Sequence, residues 1–171
     1  MNVANGASVL ASPGARLSAL GGNDLRSSRY LALTPFERPD RRLAQAVTRL
    51  GGAVAVDYGR QPADHAECLD ILGDTPRLGL RIPGGVAPGD VALPAHLAFL
   101  IVNDDFAEWR RLATCPILAQ VVSVDEARAA LDAHVEGLIA KGQESGGRVG
   151  SESAFILLQR VLELAAPLHC P

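Results

Sequence analysis

The chain is short of aromatics, at 4% of its residues, and has no dominant charge sign. It also lacks a long apolar run and a cysteine framework. Each absence excludes a class. No stretch approaches the roughly 20 apolar residues that a bilayer crossing needs, and the N-terminus has no basic region followed by a long apolar one. The 16 basic and 19 acidic residues nearly cancel, and no stripe of Lys and Arg interleaves with aromatics. Neither a nucleic acid nor a membrane surface is therefore an expected partner. Cys68, Cys115 and Cys170 are an odd number without framework spacing, which suits free thiols in a reducing compartment and predicts a cytoplasmic protein.

What is present is globular: 171 residues, 48% of them hydrophobic and 20% charged, enough for one domain with a real core. Residues 1–28 stand apart. They are rich in Gly, Ala, Ser and Asn with scattered apolar residues, and read as a flexible leader. Arg16 and Arg26 against the single acid Asp24 leave a transit peptide and a spurious upstream start both open.

From residue 29 to 171 short apolar runs alternate with helix-period segments. The expected strands are residues 30–34, 53–58, 78–82, 97–102, 117–122 and 137–140, mostly continuously apolar, as strands buried on both faces of a parallel sheet are. Between them, Asp40 is placed to cap a helix burying Leu43, Val47 and Leu50, with Gly51 as its left-handed terminator. Pro62 opens a helix ending near Gly73, and the Pro/Gly-rich stretch after the third strand holds only a turn. Ser123 and Glu126 form a capping box for a helix over residues 124–134 that presents Ala127, Ala130 and Leu131 to a neighbour. Ser151 is placed to cap a last helix burying Phe155, Leu158 and Leu162, with Pro167 ending it.

A βαβα alternation calls for a parallel sheet with right-handed crossovers. About six units fit an incomplete (β/α)8 TIM barrel, truncated before its last two strands, since a whole barrel takes about 250 residues. Residues 167–171 begin like another strand. A doubly wound open sheet is the alternative.

In a barrel the active site lies on the loops that follow the strands. Here the informative loop is residues 141–150, where four glycines surround one acid and one arginine between a buried strand and a helix start. Glycines there admit positive φ and close approach to a flat ligand, and the helix start favours an anion; a bare turn is an equal reading. Other polar groups have structural readings. Asn103, Asp104 and Asp105 cap the helix at 106–112. His65 and Cys68 have a spacing a metal can use but lack a second pair, so no metal site is expected. Trp109 packs between helix and barrel. His96 and His134 are structural, and Asp57 and Tyr58 either line the mouth or form a solvated strand end.

The run Gly137-Leu138-Ile139-Ala140-Lys141-Gly142-Gln143-Glu144-Ser145-Gly146-Gly147-Arg148-Val149-Gly150, continuing into Phe155-Ile156-Leu157-Leu158-Gln159, resembles the nitronate monooxygenase family, also called 2-nitropropane dioxygenase-like. More narrowly, it is similar to the variant found as a domain in type I polyketide synthases. Leu31-Ala32-Leu33-Thr34-Pro35-Phe36, Leu50-Gly51-Gly52 and Leu78-Gly79-Leu80-Arg81 follow in that family's order. The resemblance covers roughly residues 30–171 in layout, and its specific motif is the block at 142–150.

The resemblance implies a TIM barrel holding FMN without a covalent bond. Thr34, Pro35 and Phe36 would lie along the flavin face and Arg81 near its ring or ribityl chain. Lys141, Gly142, Glu144, Gly146 and Gly147 would wall the pocket. Arg148 stands where the family has its catalytic histidine. A guanidinium stays protonated and cannot act as a general base, though it can bind a nitronate, a thioester oxyanion or a phosphate. The family's FMN phosphate loops follow strands seven and eight, which this chain does not reach.

The implied function is an FMN-dependent oxidoreductase-like domain acting on a small-molecule or carrier-bound substrate beside other domains of a multienzyme. A non-catalytic docking module of a synthase, an enoyl-thioester reductase-like flavoprotein and a phosphate-binding barrel unrelated to flavin are the alternatives.

Overall fold

The computed structural model describes residues 8–11, 30–75 and 77–165. Most of the leader expected over residues 1–28 lies outside them, as do Cys170 and the expected strand start at 167–171. The strands are β1 (Ser8–Ala11), β2 (Leu31–Leu33), β3 (Ala53–Asp57), β4 (Gly79–Arg81), β5 (Phe99–Val102), β6 (Ile117–Val121) and β7 (Gly137–Ala140). The helices are α1 (Arg41–Arg49), α2 (Pro62–Asp74), α3 (Phe106–Leu112), α4 (Val124–Asp132) and α5 (Ala154–Ala165). The α/β alternation expected from sequence is observed, and the chain divides into two compact units: Arg16–Ile117, and Met1–Ala15 with Leu118–Pro171.

In the Arg16–Ile117 unit, β2, β3, β4 and β5 pair side by side, each parallel to the next. β3 and β5 are buried along their whole length, so the continuous apolar runs mark strands covered on both faces. Register puts Ala55, Gly79 and Phe99 on one rung. A Cβ at Gly79 would sit 2.1 Å from the Phe99 ring; the missing side chain there is the space the phenyl group fills. Two rungs further, at the carboxyl ends, Asp57 pairs with Arg81.

The helices of this unit form for the reasons the sequence offers. Asp40 accepts from the Leu43 N–H at 2.9 Å at the head of α1, and Gly51 takes φ +74 just past its end. Ala44 and Val47 are buried, but Leu50, expected on the same stripe, is 78% exposed. Leu50 still bonds the Ala46 carbonyl at 3.2 Å, but the buried face runs through Ala44 and Val47, and position 50 is turned about 120° from Ala44. Between β4 and β5 there is one 3-10 turn at Pro88–Asp90 and no helix. Trp109 of α3 is fully buried, as expected, with its indole N–H unpartnered.

The other unit pairs β6 parallel to β7, with β1 antiparallel on the far side of β7. β1 falls in the stretch read as leader, where four residues are too few for a periodic signal. Ser123 caps α4, its hydroxyl accepting from the Glu126 N–H at 3.2 Å, and Ala127 and Ala130 are buried.

α5 departs from expectation twice. Its start is marked by Ser153, whose hydroxyl accepts from the Ile156 N–H at 3.4 Å, and not by Ser151. Leu157 and Val161 are the buried pair, while Phe155 is 66% exposed and Leu162 lies outside with it. Residues 155–158, 161 and 162 are all apolar, so periodicity offers two stripes. The loop that fixes the first helical N–H decides between them.

Candidate functional site

Each unit brings charged groups together at the carboxyl ends of its parallel strands, where ligands bind in sheets of this kind. In the Arg16–Ile117 unit the group is built by side chains. Asp57 is fully buried at the end of β3. Its carboxylate receives Arg81 Nη1 from β4 and the Gly59 N–H at 2.9 Å. The Thr34 hydroxyl, just past β2, accepts from the Asp57 N–H at 2.8 Å. Burial pushes the Asp57 carboxyl above its ordinary value, against the pull of Arg81.

Glu37 completes the group. Its carboxylate takes Arg60 Nε at 2.5 Å through one oxygen and lies 3.5 Å from Arg81 Nη2 through the other. The hydrogen bond from Arg60 holds its pKa below the usual carboxylate value, with burial opposing. Arg60 reaches across to the Gly84 carbonyl at 3.5 Å, beside Gly85, whose N–H donates to Asp104 at 3.1 Å.

The backbone that presents Glu37 is unusual. Phe36 (φ 62) and Glu37 (φ 52) are consecutive left-handed residues, neither of them glycine. Each such residue costs about 1–3 kcal/mol, whereas an exposed pair such as Glu37–Arg60 contributes about 0–1 kcal/mol. That contact alone does not offset the strain.

In the other unit the group is built by backbone. Lys141, the only lysine in the chain, extends the β7 pairing through its N–H to the Val121 carbonyl at 2.9 Å. Its side chain is buried and donates to the Gly146 carbonyl at 2.7 Å. A Cβ on Gly142 would lie 1.9 Å from the Ala154 nitrogen, so only glycine fits there. The Glu144 carboxylate accepts from that same N–H at 2.8 Å and so caps α5. Gly147 has φ +73. At Gly150 the loop comes back over the end of β6, where a Cβ would be 2.1 Å from the Val122 carbonyl. Arg148 offers both terminal nitrogens to Glu126 on α4, Nη1 at 3.0 Å. The same carboxylate accepts from the Val122 N–H at 3.1 Å.

The residues expected at a site therefore divide by unit. Thr34, Pro35, Phe36 and Arg81 lie at the strand ends of one, with Phe36 87% exposed; Lys141, Gly142, Glu144, Gly146, Gly147 and Arg148 lie on one loop of the other. Glu37, Arg60 and Glu126 were not among the expected site residues. Glu37 and Arg60 had one available signal, an acid in the loop after β2 and an arginine in the loop after β3. Glu126 was visible only as a cap.

Asn103, Asp104 and Asp105 do not cap α3 with their side chains. Asn103 donates to the Ile82 carbonyl at 3.2 Å, Asp104 fixes Gly85, and Asp105 is itself left-handed at φ 48. An N-cap residue needs extended backbone to turn its side chain onto the helix, which Asp105 does not have. Asp57 is no solvated strand end.

His65 stacks on Tyr58 with ring centroids 4.1 Å apart, and burial pushes the neighbouring Cys68 thiol up to about 12, so this thiol is no nucleophile. Among the described residues no group of three or more His, Cys, Asp and Glu is placed to hold a metal, and no helix is long and apolar enough to cross a membrane.

Flavin can be tested against these groups. The buried Lys141 ammonium has the charge sign that suits the electron-rich edge of such a ring, and it is itself engaged with the Gly146 carbonyl at 2.7 Å. Glu144 and Arg148 fit less well, each being engaged in holding the loop. No family model, curated protein or solved structure matches the chain.

Proposed function

We propose that the chain is part of a (β/α)8 barrel of TIM type, related to the nitronate monooxygenase group, and that it contributes a wall of an FMN site. The observation that carries this reading is Lys141, a buried cation at the carboxyl end of β7 roofed by a loop in which Gly142 admits no side chain. Bound FMN would supply the redox chemistry; the chain would supply orientation and charge. Its setting would be a cytoplasmic multienzyme of polyketide synthase type, with a small-molecule or carrier-bound substrate.

The second reading is a non-catalytic barrel module, and Arg148 favours it. Both ends of its guanidinium go to Glu126, so the position that holds a histidine base in the family serves here as a strut between loop and helix.

Adding FMN to the purified chain decides between them. Quenching of flavin fluorescence, with a rise in Tm that Lys141→Met removes, supports the flavin site. FMN that leaves both unmoved sinks it and leaves the module. If flavin binds, Arg148→His is expected to gain nitronate turnover, measured by oxygen uptake.

A further inference from the structure

We propose that Arg60 and Arg81 form a binding site for the oxyanion group of a small molecule, and that Glu37 fills this site as an internal stand-in when no such ligand is bound. The inference does not rest on flavin binding.

The donor geometry is unfinished. Arg81 spends Nη1 on Asp57, and its Nη2 reaches Glu37 only at 3.5 Å. Arg60 grips Glu37 through Nε, and its Nη1 reaches the Gly84 carbonyl only at 3.5 Å. Charge-assisted N–H···O bonds settle at about 2.7–2.9 Å. One carboxylate tethered to its own backbone serves one guanidinium well and the other poorly, whereas a free oxyanion can move to where both forks bond it.

The tether is also strained. Phe36 and Glu37 both hold positive φ to deliver that carboxylate, and displacing it frees the two residues to relax. Charge agrees with this: Asp57 balances Arg81, so removing Glu37 leaves one positive charge for an incoming anion to match. Access agrees as well, because the Arg60 side chain is half exposed. The site spans the carboxyl ends of β2, β3 and β4.

The test is thermal unfolding of the full chain, free of FMN, titrated separately with sodium phosphate and sodium acetate at constant ionic strength against chloride. A saturable rise in Tm is expected with at least one anion. Phosphate alone would identify a phosphate group, and acetate alone a carboxylate. In Glu37→Gln the half-saturating concentration should fall about tenfold, because the competing internal anion is gone; in Arg60→Gln the saturable response should vanish.

No response beyond chloride in either the wild type or Glu37→Gln overturns the proposal, as does an unchanged midpoint in Glu37→Gln. Chymotrypsin gives a reading without any variant. Cleavage after Phe36 should quicken at saturating anion if Glu37 is displaced, and an unaltered rate counts against displacement.

Discussion

The two units place charge at their strand ends by opposite means. In the Arg16–Ile117 unit, Asp57, Arg81, Glu37 and Arg60 come from three successive strand-and-loop segments and hold one another by side chain. In the other unit, Lys141 and Arg148 sit on a single loop whose path is set by backbone contacts at Gly142 and Gly150 and by the Glu144 cap. A side-chain network should tolerate changes in backbone shape and fail when one charge is lost. A glycine-built loop should do the reverse.

The largest expected effect tests the first half of that contrast. Among the described residues, Asp57→Ala leaves the buried Arg81 guanidinium with the Glu37 carboxylate at 3.5 Å, and removing one member of a buried pair is strongly destabilising. A loss of about 3 kcal/mol is expected in urea unfolding. A loss under about 1 kcal/mol would mean that Arg81 finds water or another partner, and the network description would fail.

Next comes the loop. Gly142→Ala puts a methyl group 1.9 Å from the Ala154 nitrogen and 2.5 Å from the Ser153 carbonyl carbon, against backbone that cannot rotate away. Overpacking of this kind costs about 1–3 kcal/mol. Because Ala154 begins α5, a lowered far-UV helix signal should accompany the loss. A neutral Gly142→Ala would show that the side-chain ties through Glu144 and Arg148 hold this loop without the backbone contact. Removing the charge partner instead should matter less: Glu126→Gln keeps an acceptor for the Val122 N–H and takes the negative charge from beside the half-exposed Arg148, for about 1 kcal/mol or less.

These two regions also show what could be read from sequence. The strands β2 to β7, and the loop at 141–150, were legible because their signals are local: continuous apolar runs, a glycine cluster, a Ser-x-x-Glu cap; β1, four residues in the stretch read as leader, was not. The Glu37–Arg60 pair was not, since it joins loops 23 residues apart and no spacing rule links them. Phe36 could be named by resemblance, but its left-handed backbone has no marker in a phenylalanine. The buried face of α5 was missed for a third reason. Six apolar residues leave two stripes equally plausible, and the choice falls to Glu144, whose carboxylate fixes the first helical N–H from ten residues upstream.

The smallest effect separates two acids within the side-chain network itself. Glu37 has a lowered pKa, chiefly from the Arg60 hydrogen bond. Its stabilisation is fully present above its unfolded value of 4.5 and is lost as pH falls through the lower folded value. Asp57 has a raised pKa because burial outweighs Arg81. Its folded form holds a proton more tightly than the unfolded chain, so its contribution is greatest below the unfolded value of 3.8 and declines as pH rises through the higher folded one. Urea midpoints between pH 3 and 7 should therefore move oppositely in two variants. The deficit of Glu37→Gln relative to wild type should shrink on acidification, whereas Asp57→Asn should gain on wild type as pH rises. Slopes of one sign in both variants would mean that Asp57 and Glu37 share a single environment, and the division into a buried carboxylate and a strained, half-exposed one would have to be abandoned.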